Sequence, residues 1–329
     1  MRFDLQLSAM NADDATLALL DQILRRVEVD VHLASIKDAD RVEDSRLFKT
    51  SRPMQQRFLR ELAKNSGRPV GHPREFTVKD PASAVEGQRL AYSPLSLVVE
   101  NAFSDRALIE AVVRKLGDPW LVELFFGAPS REDPPAVFWR GAGGHGQVSD
   151  HVDDLLNEAS TRGRAPRIVV VTDSDGEWRG HVETWAAAIQ LHCRNRGISC
   201  HVLKQRTAEN YIPDEVWDAW AKLPAHRNHR GVVVHLKALS GPFQRAHLRM
   251  GKAGTPPWDS SNPECAKLFR GVNATTEAAL KAAHLKGRGE DMKIKMLSTY
   301  DADYGEAELR RRDEYNELDD MITLIANEI

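Results

Sequence analysis

The chain has 329 residues, of which 28% are charged and 42% hydrophobic, with a formal net charge of −3. That length supports a sizeable core and one to three domains, with two as the natural division. The composition argues against a membrane or disulfide-framework protein. No apolar run approaches the roughly 18 residues that span a bilayer. Acids follow the short apolar stretch of MRFDLQLSAMNADD, where a signal peptide would continue, and three cysteines make no framework. A cytoplasmic protein is expected.

The first ninety or so residues predict a mainly helical region, 1–93. Leu17, Leu19, Leu20, Ile23, Leu24 and Val27 recur at helical spacing behind Asp13 and Asp14, and a second helix is predicted around Met54 to Ala63. Gly67, Pro69, Gly71, Pro73 and Pro81 then mark a looser segment. From Pro94 the texture changes. LSLVVE (95–100) is a short apolar run ending in an acid, and a helical pattern follows from Phe103 to Leu116. LVELFF (121–126) and AVFW (136–139) read as strands, Gly141 to Gly146 leads into a helix reaching about Ser160, and RIVVVT (167–172) is a second buried-strand run. Trp178 to Arg194 reads as a helix with Val182, Trp185, Ala186 and Ile189 on one face, and ISCHVL (198–203) as a further strand. Alternating strands and helices predict an α/β domain over 94–216, a parallel sheet flanked by helices. All strand C-terminal ends then share one edge, where ligands bind in such sheets.

Region 217–329 is less patterned. Val232 to Leu236 reads as a strand, and Glu306 to Ile329 as one C-terminal helix. Leu309, Leu318, Met321, Ile322 and Ile325 form its apolar stripe, expected to pack on this chain rather than on a partner or a homo-oligomer mate. No acid occurs between Asp218 and Asp259, while Arg227, Arg230, Lys237, Arg245, Arg249 and Lys252 do, interleaved with His226, His229, His235 and His247. Such a run either follows a phosphate backbone or pairs with acids elsewhere in the fold.

The chemistry concentrates at two strand ends. LSLVVE ends in Glu100, and RIVVVT runs into Asp173-Ser174-Asp175-Gly176. If the two strands are parallel neighbours, three carboxylates converge. Like charges raise one another's pKa values, and a hard divalent cation, Mg²⁺ or Mn²⁺, relieves that cost through oxygen ligands. Each acid also has a structural role open to it: Asp173 or Asp105 as a helix cap, Glu177 as a solvated acid.

V-V-E-N-x-x-S-D followed about 70 residues later by an apolar strand ending in D-x-D resembles the Toprim fold. That Rossmann-like fold is shared by topoisomerases, bacterial primases, small RNA-maturation nucleases and the overcoming-lysogenisation-defect nucleases. Lys204-Gln205-Arg206-Thr207-Ala208-Glu209-Asn210-Tyr211-Ile212-Pro213 is similar to a K-x-R-x-x-E-N-Y-hydrophobic-P stretch in Toprim effectors of anti-phage systems. The resemblance covers about 94–215. It implies a nuclease cleaving phosphodiester bonds of DNA or RNA, with Glu100, Asp173 and Asp175 as metal ligands, Asp105 assisting as a further ligand, Glu209 assisting, and Lys204, Arg206 or Lys286 offsetting phosphate charge. Asn101 stands where the family usually has Gly. Overcoming-lysogenisation-defect nucleases couple this domain to an ABC-type ATPase. No G-x-x-x-x-G-K-[ST] loop occurs here, so the resemblance implies a separate ABC- or SMC-type ATPase partner, or a non-catalytic subunit that binds such a partner or nucleic acid.

Three other constellations compete. Gly141-Ala-Gly143-Gly-His145-Gly146 fits the dinucleotide-binding G-x-G-x-x-G, but the helix it opens carries Asp150, Asp153 and Asp154, unfavourable to a pyrophosphate. Asp173-Ser-Asp175-Gly176 resembles the haloacid-dehalogenase phosphatase motif, with Glu177 where that family expects Thr or Val, and with no use for Glu100. His192-Cys193 and Cys200-His201 bring zinc to mind, yet there is no C-x₂-C spacing and Cys265 is remote.

Overall fold

The computed structural model describes residues 1–66, 75–163, 166–224, 230–249, 261–285 and 304–329. The architecture is α/β, with two parallel sheets flanked by helices.

The central sheet has four strands, β4 (Leu95–Val99), β5 (Val137–Gly141), β6 (Ile168–Thr172) and β7 (Ser199–Val202), in the order β5-β4-β6-β7. Every residue of β4 and β6 is buried, whereas the edge strands β5 and β7 are mixed. This is why LSLVV and IVVVT are continuous apolar runs: a central parallel strand is covered on both faces. The odd-numbered side chains Leu95, Leu97, Val99, Val169 and Val171 pack with the Ser104–Leu116, Asp214–Lys222 and Leu318–Glu328 helices. Val98, Ile168 and Val170 pack on the opposite face, against Val148–Thr161 and Thr184–Asn195.

The region 1–93 is rich in helix, but its helices cover a second sheet that the sequence pattern did not disclose. Its strands β1 (Arg2–Leu5), β2 (Leu33–Ile36) and β3 (Glu75–Val78) pair in parallel in the order β2-β1-β3. Four-residue strands carry too few alternations to stand out beside the long Asp14–Glu28 and Pro53–Asn65 helices. This unit has its own core, built from residues such as Phe3, Leu20, Ile23 and Leu59. Buried Arg26 ties it to the central unit, donating from Nη2 to Pro134 O (2.7 Å) while its Nε donates to Ala91 O (3.3 Å) within the first unit.

Four predicted elements differ. LVELFF is the helix Pro119–Phe126, not a strand: Pro119 supplies the fixed φ of a first helical turn, and Leu121, Leu124 and Phe125 bury at helical spacing. Val232 to Leu236 lies within the helix Arg230–Lys237. The helix expected from Trp178 begins at Thr184, because 176–183 folds back as a loop. The C-terminal helix is two, Glu306–Arg312 and Leu318–Glu328, broken by a turn at Asp313 to Glu317. Their apolar stripe, Leu309, Leu318, Met321 and Ile325, is buried in this chain's own core.

That break places Glu317 at the heart of the packing, fully buried. Its carboxyl oxygens accept from the Lys204 backbone N–H (2.9 and 3.0 Å) and from the Tyr211 hydroxyl, and Oε2 lies 3.0 Å from His201 Nε2. Burial beside Glu317 pushes the Tyr211 hydroxyl pKa well up. The C-terminal segment is thereby fastened to the chain leaving β7. Replacing Glu317 by Ala strands several buried polar groups, each costing about 1–3 kcal/mol. We expect Glu317→Ala to lower the unfolding free energy in urea by about 3 kcal/mol or more; an unchanged midpoint would contradict this role.

Candidate functional site

β4 and β6 are hydrogen-bonded neighbours, with Val98 opposite Val170 and Val99 opposite Val171. Continuing that register sets Glu100 beside Thr172 and Asp173 one residue beyond, on strands about 4.8 Å apart. The connections from β4 and β6 diverge to β5 and β7, so Glu100 and Asp173 flank the point where the strand order reverses. Open α/β sheets form their ligand crevice there.

Beyond the strands, the chains leaving β6 and β7 stay paired. Leu203 N–H donates to Thr172 O (2.9 Å), Ser174 Oγ to Gln205 O (2.9 Å), and Asp175 N–H to Arg206 O (2.9 Å). This brings the D-S-D stretch alongside Lys204–Arg206. Asp173 is buried, and its Oδ1 accepts from the Ala208 N–H (3.0 Å) at the start of the short turn Ala208–Tyr211, which carries the buried Glu209. Asp175 adopts a left-handed backbone (φ 49°), and its carboxylate lies 3.8 Å from Nε of the buried Arg206. Burial lowers the pKa of that guanidinium, with Asp175, Glu177 and Glu183 pulling it back up. Gly176 is required by space, since a Cβ there would sit 2.2 Å from His181 O.

Around Glu100 the surroundings differ. His145 Nδ1 lies 3.9 Å from Glu100 Oε1, and its ring stacks on Trp185 with centroids 4.4 Å apart. Asp105 is buried and shapes the turn after Glu100: Oδ2 accepts from the Asn101 N–H (2.7 Å) and Oδ1 from Ser104 Oγ (3.0 Å). Asn101 itself accepts from the Phe103 N–H (2.9 Å), which forms the turn a glycine would otherwise allow. Lys204 is half-exposed, with Nζ 3.7 Å from Asp320 on the C-terminal helix. Asp173, Asp175, Arg206 and Glu209 thus gather round one loop pair, Glu100 ends the next strand with His145 beside its carboxylate, and Asp105 and Lys204 have other partners. Lys286 lies outside the described residues.

Two of the competing motifs have packing explanations. Gly141 ends β5 because a Cβ would come 2.5 Å from that of Ala102. Cys193 and Cys200 are free thiols, Cys193 fully buried in the core beside the sheet. The basic run serves the fold where it is described. Lys237 pairs with Asp218 (2.7 Å), buried Arg245 pairs with Asp214, and Asn210 Nδ2 donates to the carbonyls of Arg245 and Leu248 (2.6 and 2.8 Å). His226, Arg227, His229 and Lys252 lie outside the described residues.

The donor chemistry at the two strand ends is hard oxygen, suited to Mg²⁺ or Mn²⁺. Among the described residues, no group of three or more His, Cys, Asp or Glu is drawn together closely enough to hold a metal ion. The carboxylates therefore offer one or two ligands rather than a closed cage. Mg²⁺ is commonly bound by one or two carboxylates with substrate phosphate oxygens supplying the rest. No helix among the described residues is long and apolar enough to cross a membrane.

Sequence reasoning missed Glu317, for which no signal exists, and His247, which it counted only as part of a basic run. His247 is fully buried, with Nδ1 2.9 Å from Gly176 O and Nε2 2.6 Å from Tyr315 Oη. It thus braces the D-x-D-G loop from behind. Comparison with protein-family models, curated proteins and solved structures finds no match.

Burial depresses the His247 pKa to about 4. Between that value and the unfolded value of about 6.5 the unfolded chain takes up the proton that the folded chain refuses, so stability falls as pH drops through this window. The full effect is about 3 kcal/mol. His247→Gln should flatten the stability profile between pH 6.5 and 4, measured by urea unfolding across that range. An unchanged slope would contradict the assignment.

Proposed function

We propose that the chain is a Toprim-type, metal-dependent nuclease that cleaves phosphodiester bonds of DNA or RNA in the cytoplasm, as an anti-phage effector working with a separate ATPase. The observation that carries the proposal is the emergence of Glu100 and Asp173-Ser174-Asp175 from two adjacent, fully buried parallel strands at the reversal of the strand order. The buried Arg206 beside Asp175 adds a fixed guanidinium, the group best shaped to meet a phosphate.

Of Glu100, Asp173 and Asp175, one or two at a time would hold Mg²⁺ or Mn²⁺, with substrate phosphate oxygens and water completing its shell. The bound ion would supply charge neutralisation and an activated water for attack on phosphorus. The chain's own residues prepare that reaction. The Ala208 N–H fixes one oxygen of Asp173. The pairing of Asp175 N–H with Arg206 O holds the D-x-D loop against the chain leaving β7. Arg206, desolvated by its surroundings, faces the phosphate with its charge little screened by water, where it stabilises charge developing in the transition state. His247 and Tyr315 keep the loop from yielding.

A non-catalytic subunit that binds an ATPase or nucleic acid is the second reading. It is favoured by the Asp175–Arg206 pairing, which leaves the carboxylates apart from one another.

Plasmid, linear DNA and tRNA incubated with Mg²⁺, Mn²⁺ or EDTA separate the two. We expect cleavage that needs the metal and falls about 100-fold or more in Asp173→Ala, the scale of a lost metal ligand. Cleavage by Asp173→Ala at the wild-type rate would overturn the site, and the absence of cleavage by the wild type with its ATPase present would favour the binding subunit.

A further inference from the structure

A second candidate site lies at the opposite edge of the central sheet. A cleft of about 230 Å³ opens by the starts of β4 and β6 and along β5, lined by residues that include Ser96, Phe138, Arg140, Glu158, Arg162 and Arg167. Ser96 stands four positions before Glu100, about 13 Å along β4, so the cleft is distinct from the carboxylate edge. It is smaller than the roughly 300–1,000 Å³ that accommodate a drug-sized molecule, and its ligand must be correspondingly small.

The lining sets the chemistry. Arg140 lies over the Phe138 ring, 4.3 Å from its centroid, which fixes a long side chain that would otherwise be mobile. Phe138 is nonetheless partly exposed, a large apolar group left in contact with water on an edge strand. Arg140 Nε is buried and has no hydrogen-bond partner among the described residues. An unmet buried donor on a cation is destabilising, a cost that an anion in the cleft would recover. The nearest carboxylate, Glu158 Oε2, is 3.6 Å from Arg140 Nη2, too long for a hydrogen bond, while Glu158 Oε1 pairs with Arg162 at 2.9 Å. Both pairs are partly open to solvent, which screens them and leaves them weak, so a better-placed anion can displace Glu158. At the back, Arg167 is buried and donates from Nη1 to Ser93 O (2.8 Å) and from Nε to Glu328 O (3.0 Å). Three arginines face Asp133 and Glu158, which leaves the lining positive.

We infer that this cleft binds a small anion carrying a flat ring, an aromatic phosphate or carboxylate, with Arg140 and Arg162 on the anionic group and Phe138 against the ring. The carboxylate edge takes no part in this binding. Phenyl phosphate is the probe, with phenol and inorganic phosphate as its two halves, titrated against the full chain by calorimetry. The expected result is millimolar or tighter binding of phenyl phosphate, with either half about 10-fold weaker, a loss of about 10-fold in Arg140→Gln, and no change in Asp173→Ala. Arg162→Gln, on an exposed residue, gives an independent second loss should Arg140→Gln fold poorly. Binding that is equal in wild type and both arginine variants, binding no tighter than that of inorganic phosphate, binding lost in Asp173→Ala, or no binding at millimolar concentration each overturns the inference. None of these outcomes bears on nuclease activity at the other edge.

Discussion

Two strands without a single exposed residue, lying side by side, constrain everything else in the central unit. β4 and β6 are sealed on both faces, so no charged side chain can leave the sheet from them except where they end. The acids that follow them, Glu100 and Asp173, are therefore delivered together to one edge by packing alone. The hydrophobic effect supplies the positioning, and burial at about 25 cal/mol per Å² makes departure from the register costly.

A second constraint locks that edge from outside the sheet. Glu317, in the break between the two C-terminal helices, gathers Lys204, Tyr211 and His201. Gln205 Nε2 donates to Arg312 O, and Arg312 Nη2 to Asn210 O (2.9 Å). Several residues of the K-x-R-x-x-E-N-Y stretch thus serve to hold Arg206, Ala208 and Glu209 against the D-x-D loop. Asn210 and Tyr211 are framework, while Arg206 and the Ala208 N–H face the carboxylates. A short sequence motif can mix both roles because nearly all of it is buried, with some side chains turned to the framework and others to the carboxylates.

The sequence was most legible where burial was most complete. LSLVVE and RIVVVT declared their strands because a central strand is almost wholly apolar, the small buried Ser96 being the single interruption within β4. Four-residue strands such as RFDL and EFTV left too little pattern to be seen, so the first sheet stayed hidden behind its helices. LVELFF misled because a short apolar run has no period to separate helix from strand; Pro119 was the discriminating residue. Glu317 and His247 were invisible for another reason: their importance lies in contacts more than 65 residues away in sequence, and nothing local marks them. Asp105 looked like a ligand and is bound into the turn beside Glu100, a placement set by the Asn101 backbone N–H and the Ser104 hydroxyl.

The central claim is that Glu100 and Asp173 act together on one divalent cation. Mn²⁺ binding followed by electron paramagnetic resonance, with an uncleavable phosphorothioate oligonucleotide present, tests it most directly. The account predicts that Glu100→Gln and Asp173→Asn each remove most of the bound Mn²⁺ while the protein stays folded. Retention of wild-type Mn²⁺ binding by both variants would contradict it.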